Sequence, residues 1–360
     1  MSNQLISEQK DLIKVCDAIN TCSVIGVDTE FLREKTYYAK LCLVQIAAGS
    51  DSWCIDVLAL EDLSPLTEVF ENESLLKVFH SSRQDFEVIY QQFGCLPKPI
   101  FDTQIAAGFC GADAQAGYAT VLKSEFSIEL DKSQTRTDWS RRPLSNEQIE
   151  YAINDVLYLE ALYKHYKLKL EQLNHAEWFD QELQTLFNLD DYQMLPQNAY
   201  KRLNGSSFSK ASQYFLRELA NWRESLAQNK NIPRSWVLKD KEVYELAEIL
   251  PESEEEMKQT HIGKQSFVRK NTQHILQLAN KNKNLNDVDS LWETYQPFDA
   301  EQKTVVKGIM KKIAEIAKTE EIAQTILATR KEVEMFVRDQ DRSIISKGWR
   351  ADFLLEKLKK

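Results

Sequence analysis

Five residues stand at spacings that could do chemistry together. Asp28 and Glu30 flank Thr29 where an apolar run, VIGVD, closes, and alternate residues of a strand share one face. Two carboxylates meeting there repel each other unless one is protonated or a cation lies between them. Taken alone, such a pair reads as a solvated strand end. Two further acids lie in apolar helical surroundings, Asp85 in HSSRQDFEVI and Asp155 in QIEYAINDVLYL. Four hard oxygen donors suit Mg²⁺ or Mn²⁺. Tyr151 precedes Asp155 by four residues, so on a helix a phenol stands one turn from that carboxylate.

The elements that must position these residues can be read from the same stretch. Three runs rich in β-branched residues, VIGVD, LCLVQIA and SWCIDV, alternate with turn-like segments and predict an antiparallel meander. A helix at Leu63–Phe70, a strand at Leu76–His80, a helix at Arg83–Gln92 and a strand at Ile100–Phe101 follow, as in βα units. Beyond Phe126 the strand signal fades. One helix is predicted over Ser145–Leu173, with Ser145 near its N-cap and Ile149, Ile153, Val156 and Leu159 on one face.

The 360 residues suffice for two or three cores, and breakers at 193–209 and 281–289 divide the chain. The expected domains are 1–203, 208–288 and 289–360. No run approaches the roughly 20 apolar residues of a membrane span, and no signal peptide is evident, so a cytoplasmic protein is expected. All six cysteines fall in the first third without zinc spacing and read as reduced packing residues. A net charge of −10 argues against whole-surface binding of nucleic acid and leaves local basic patches and metal ions to hold it.

Asp28/Glu30, Asp85 and Tyr151/Asp155 occur in the order of the motifs of the DEDD exonuclease superfamily, tyrosine-type branch. DTEFLREKTYY, HSSRQDFEVI, FDTQIAAGFCG, LDKSQTRTDWSRRPL and YAINDVLYL narrow the resemblance to the ribonuclease D family, densely from Val24 to Leu162. The resemblance implies a ribonuclease H-like mixed α/β sheet. It also implies two Mg²⁺ or Mn²⁺ ions held by Asp28, Glu30, Asp85 and Asp155, with Tyr151 acting on the attacking water. The implied activity is 3′→5′ exoribonuclease release of nucleoside 5′-monophosphates from tRNA precursors and other structured RNA.

The segment FLRELANWRESLAQNKNIPRSWVLKDKEVYELAEILP resembles an HRDC domain, and ISKGWRADFLLEKL more loosely a second one. Most of the matching residues, Trp222 among them, are apolar and speak to a helical core.

Arg136, Arg141 and Arg142, with Lys132 and Trp139, form a basic and aromatic cluster able to grip phosphate and stack a base. The alternative is a loop whose arginines pair with Asp131 and Asp138. Lys303, Lys307 and Lys311 form a basic stripe opposite Val306, Ile309, Ile313 and Ile316, either a solvated face or an RNA contact. Phe31, Tyr37 and Gln45 are weaker candidates for touching the substrate's end. Asp102 reads as a helix N-cap or as a support to the metal acids, and His80 as structural. A DNA-directed exonuclease and a nucleic-acid-binding scaffold with an inactive nuclease fold are the competing functions. A chain ending near Asn204 is expected to keep the chemistry and lose grip on folded RNA.

Overall fold

The computed structural model describes residues 3–130, 137–285, 287–293 and 296–359. Contacts divide the chain into two compact units, one of 1–32, 40–192 and 298–360, the other of 33–39 and 193–297.

The first unit is built on a six-stranded sheet in the order β1-β4-β3-β2-β5-β6, formed by Asn3–Ile6, Val24–Leu32, Lys40–Ala48, Asp51–Ile55, Leu76–Phe79 and Ile100–Asp102 in chain order. β2, β3 and β4 pair antiparallel, giving the expected meander. β1, β5 and β6 join parallel to their neighbours. β1 was not anticipated. Every residue from Leu41 to Ala48 on β3 is buried, so this strand is covered on both faces.

Helices α1 (Gln9–Ile19), α2 (Ser64–Glu71), α3 (Arg83–Phe93), α4 (Thr103–Phe109) and α5 (Tyr118–Phe126) alternate with or follow the strands. The single helix expected over Ser145–Leu173 is two, α6 (Asn146–Leu157) and α7 (Leu159–Gln172), followed by α8 (Ala176–Gln184). Ser145 caps α6 in a reciprocal box with Gln148. The chain turns at Tyr158, whose N–H is taken by the Tyr118 hydroxyl at 3.1 Å.

The second unit is helical, with α9 (Lys210–Lys230), α10 (Arg234–Val237), α11 (Asp240–Ile249), α12 (Glu254–Gln259), α13 (Ser266–Lys270) and α14 (Thr272–Asn282). Its core contains Phe215, Leu216, Leu219, Val243, Leu246, Met257 and Ile275, with Trp222 packed at the edge. Ala199 and Leu203 also belong to this core, so the stretch 193–203 goes with the helical unit and not with the sheet. Tyr37 donates its hydroxyl to Glu224 and its backbone N–H to the Asn231 side chain. The Tyr37 hydroxyl and N–H are thereby committed to residues of this unit.

The third expected domain does not stand apart. α15 (Ala300–Thr319), α16 (Gln324–Leu327), α17 (Arg330–Arg338) and α18 (Gly348–Lys359) belong to the sheet unit. Trp349 stacks on Trp178 at 5.2 Å and meets Phe109 at 5.4 Å. Arg350 reaches Glu182 at 2.8 Å, and the Ala323 N–H donates to the Gly108 carbonyl at 2.7 Å. A chain ending near Asn204 would therefore uncover Phe109 and Trp178 rather than leave a finished unit. No helix among the described residues is long and apolar enough to cross a membrane.

Candidate active site

β2 carries Asp28 and Glu30 on one face, and the last turn of α6 brings Asp155 to the same place. Gly26 makes that approach possible. A Cβ at this position would lie 2.9 Å from both the Val156 carbonyl oxygen and the Leu159 Cβ, so any side chain would push α6 and α7 off the strand. The result is that Asp28, Glu30 and Asp155 each place a carboxylate oxygen within 4.8 Å of the others.

Asp85 arrives from α3 and is tied in differently. Thr29, between the two strand acids, points to the opposite face and donates its hydroxyl to Asp85 at 2.5 Å. The turn before α3 is itself fastened. The Asp102 carboxylate accepts from the Ser81 N–H at 3.1 Å and from the Ser82 N–H and hydroxyl at 2.8 Å each. It also caps α4 through the N–H groups of Gln104 and Ile105. Asp102 is thus the N-cap of α4, and the same buried carboxylate fastens the turn that leads into α3. His80 is held by the Thr103 hydroxyl at 2.9 Å and the Ala116 carbonyl at 3.0 Å, a structural position.

The electrostatics follow from acids that are poorly solvated and close enough to repel one another. Burial, then Asp85, Asp155 and Glu30, push Asp28 well above the usual carboxylate range. Burial followed by Asp155 and Asp85 pushes Glu30 up to about 9. Asp85 is pushed up to about 7, chiefly by burial, against the opposing bond from Thr29. Burial also raises Asp155 to about 6, while a hydrogen bond from the Tyr151 hydroxyl pulls the other way. Tyr151 therefore faces Asp155 as the four-residue spacing predicts.

The basic and aromatic cluster needs correction. Trp139 is 3% exposed and packs with Cys42, Leu43, Cys54, Leu144 and Ile153, its ring 6.1 Å from that of Tyr151. Buried in this way it has no open surface on which to stack a base, and it packs against Tyr151 instead. Arg142 pairs bidentately with Asp56 at 2.5 and 2.6 Å and donates to the carbonyls of Trp139, Arg141 and Cys42. That uses all five guanidinium donors, leaving none for phosphate. Arg141 is exposed. Arg136, Lys132 and Asp131 lie outside the described residues. Lys303, Lys307 and Lys311 are exposed on α15, opposite the buried Val306, Ile313 and Ala317; Lys311 lies 3.8 Å from Glu315. Ile309 and Ile316 are half-buried. Phe31 is half-buried beyond a bulge in β2, and Gln45 is fully buried.

Sequence reasoning missed Thr29 and Tyr118. Only strand alternation could have pointed to Thr29, which sits between two acids of the site. Nothing local marks Tyr118, whose partner is 40 residues away.

A mixed sheet with acids converging on β2, in a chain that also carries a helical unit, defines a protein of the 3′-5′ exonuclease class. A family model described as 3′-5′ exonuclease matches residues 3–171 and an HRDC domain model matches 212–278. Ribonuclease D of Acidiphilium cryptum is 31% identical over 352 residues, covering 97% of this chain and 90% of that one. Ribonuclease D of Jannaschia sp. is 44% identical over 254 residues, 69% of this chain and 66% of that protein. The crystal structure of Escherichia coli RNase D, described as an exoribonuclease involved in structured RNA processing, superposes with a TM-score of 0.89 at 28% identity, covering 100% of this chain and 98% of that one. The chain belongs to the ribonuclease D family.

Proposed function

We propose that this protein is a metal-dependent 3′→5′ exoribonuclease that releases nucleoside 5′-monophosphates, acting on tRNA precursors and other structured RNAs with 3′ extensions. The observation that carries the reading is the convergence of Asp28, Glu30 and Asp155 within 4.8 Å, with acidities raised by burial and mutual repulsion. Such a donor set fits hard divalent cations, Mg²⁺ or Mn²⁺, because cation binding relieves the repulsion that protonation otherwise relieves. Asp28, Glu30, Asp155 and Asp85 would hold two such ions, which when bound supply Lewis-acid activation of water and stabilisation of the departing 3′-oxygen.

The chain's own residues do the rest. Thr29 fixes the Asp85 carboxylate, and Asp102 fixes the turn from which α3 starts. Tyr151, braced by Trp139 and hydrogen-bonded to Asp155, holds its hydroxyl where it can orient the attacking water and take part in moving its proton. The choice of RNA is supported by the Escherichia coli relative.

The test is a 5′-labelled single-stranded RNA beside a matched DNA, each with Mg²⁺, Mn²⁺ or a chelator. Stepwise shortening of the RNA from its 3′ end, with 5′-monophosphate products and only when metal is present, is the expected result. Shortening with chelator present, or preference for the DNA, would overturn the proposal.

For grip on the body of the RNA, we assign Arg141 and the α15 stripe. Replacing Lys303, Lys307 and Lys311 together by Gln should leave the fold intact, since exposed substitutions shift stability by at most about 0.5 kcal/mol. It should raise KM for a tRNA precursor with a 3′ trailer more than for a short oligonucleotide. The slope of log affinity against log salt should flatten by about 2, because each phosphate contact on single-stranded RNA contributes about 0.7. An unchanged slope removes the stripe from the RNA path.

A further inference from the structure

We propose that Gln45 is a positioning residue for Asp28, its side-chain amide serving as the hydrogen-bond partner of that carboxylate when a divalent cation is bound. The inference rests on the metal-dependent reading above and adds to it a residue that contributes no charge.

Gln45 is 0% exposed, and neither its amide nitrogen nor its amide oxygen has a hydrogen-bond partner. An orphaned buried amide is costly, and an apolar side chain of similar shape would fill the same space at less cost. The surrounding sequence makes the choice sharper. From Leu41 to Ala48 the buried strand reads LCLVQIAA, and Gln45 is its one amide among residues that are otherwise apolar or small.

Its place in the sheet says what it could serve. Gln45 stands directly opposite Asp28 in the antiparallel ladder of β2 and β3. Residues so paired share one face, with Cβ atoms about 4.5–5.5 Å apart. On its other side Gln45 pairs with Cys54 of β4. The Cys54 thiol donates to the Ile149 carbonyl of α6 at 3.9 Å, and its acidity is suppressed by burial and by Glu30. The amide is thus enclosed by the strand that carries two acids and by the helix that carries the third.

A carboxylate that gives one oxygen to a cation keeps lone pairs on the other, and such ligands are held by hydrogen-bond donors behind them. Thr29 does this for Asp85. Asp28 itself accepts a backbone hydrogen bond at Thr29, and the Gln45 amide, whose N–H groups are unspent, stands across the ladder from it as a side-chain donor.

The decisive variant is Gln45→Met, close in length and unable to donate, with Gln45→Leu as a second in case the first does not fold. Mn²⁺ is titrated calorimetrically into metal-free protein, and melting is followed in chelator. The expected result is a dissociation constant raised about 10–100-fold, with a melting temperature in chelator equal to or above that of the wild type. In an Asp28→Asn background the same change should cause no further loss of affinity, since its effect runs through that carboxylate. Unchanged Mn²⁺ affinity, or a lowered melting temperature with affinity kept, would mean that Gln45 is ordinary packing and would overturn this inference alone. A wild-type protein that takes up no Mn²⁺ would overturn the function proposed above as well.

Discussion

Asp28→Asn and Asp155→Asn each yield a folded protein without measurable hydrolysis, a loss of roughly 10³-fold or more, because each removes a charged ligand whose cation is worth several kcal/mol to the transition state. Without metal the same variants are more stable than the wild type above neutral pH. Unfolded carboxylates titrate near 4. In the folded chain Asp155 sits at about 6, Asp85 at about 7 and Glu30 at about 9. Between the unfolded and folded values the native state holds more protons, so stability falls as pH rises through this window. Melting of chelated wild-type protein from about pH 5 to pH 9 should therefore show a declining midpoint. Each Asn variant should give a shallower decline, and saturating metal should reverse it. Near wild-type turnover in either variant at saturating metal would remove the assigned acids from the chemistry, and a midpoint flat with pH would show that they do not crowd one another.

Tyr151→Phe is the second large effect, a fall in kcat of roughly 10²–10⁴, the usual range for a lost acid–base group. The ring that packs against Trp139 is kept, so melting should hardly change. Metal affinity should fall only slightly, since the lost hydroxyl bond favours the ionised form of Asp155 but carries no charge. The comparison is kcat against KM across a Mn²⁺ titration. If excess Mn²⁺ restored the rate, Tyr151 would be a support for the metal site and not a participant in proton movement.

The strand acids were legible because strand alternation is local. Two residues apart on β2 means one face wherever the chain goes, and LCLVQIA is apolar enough to read as a buried strand unaided. Asp85 and Asp155 could be named from their motifs, but the approach of Asp155 depends on Gly26 letting α6 come close to β2, which no periodicity reveals. For the same reason the turn at Tyr158 was invisible: no proline or glycine marks it, and the packing of the α6–α7 junction on β2 imposes it. Trp139 and Arg142 were misread as an RNA surface because WSRRPL has the composition of one. Their partners Cys42, Cys54 and Asp56 lie 85–100 residues away and only the fold supplies them. Four-residue β1 offers too short a pattern to detect.

The docking of Trp349 on Trp178 and Phe109 sets a schedule for synthesis. The residues that cover this aromatic surface emerge roughly 170 positions after it, which at about 5–20 residues per second takes about 10–30 s. Throughout that interval the growing chain carries an uncovered indole and phenyl surface beside a sheet that is already complete in sequence. The helical unit is made during the wait. A nascent chain stalled within 193–297 would therefore present chaperones and proteases with a formed helical bundle tethered to a sheet with one apolar flank still bare.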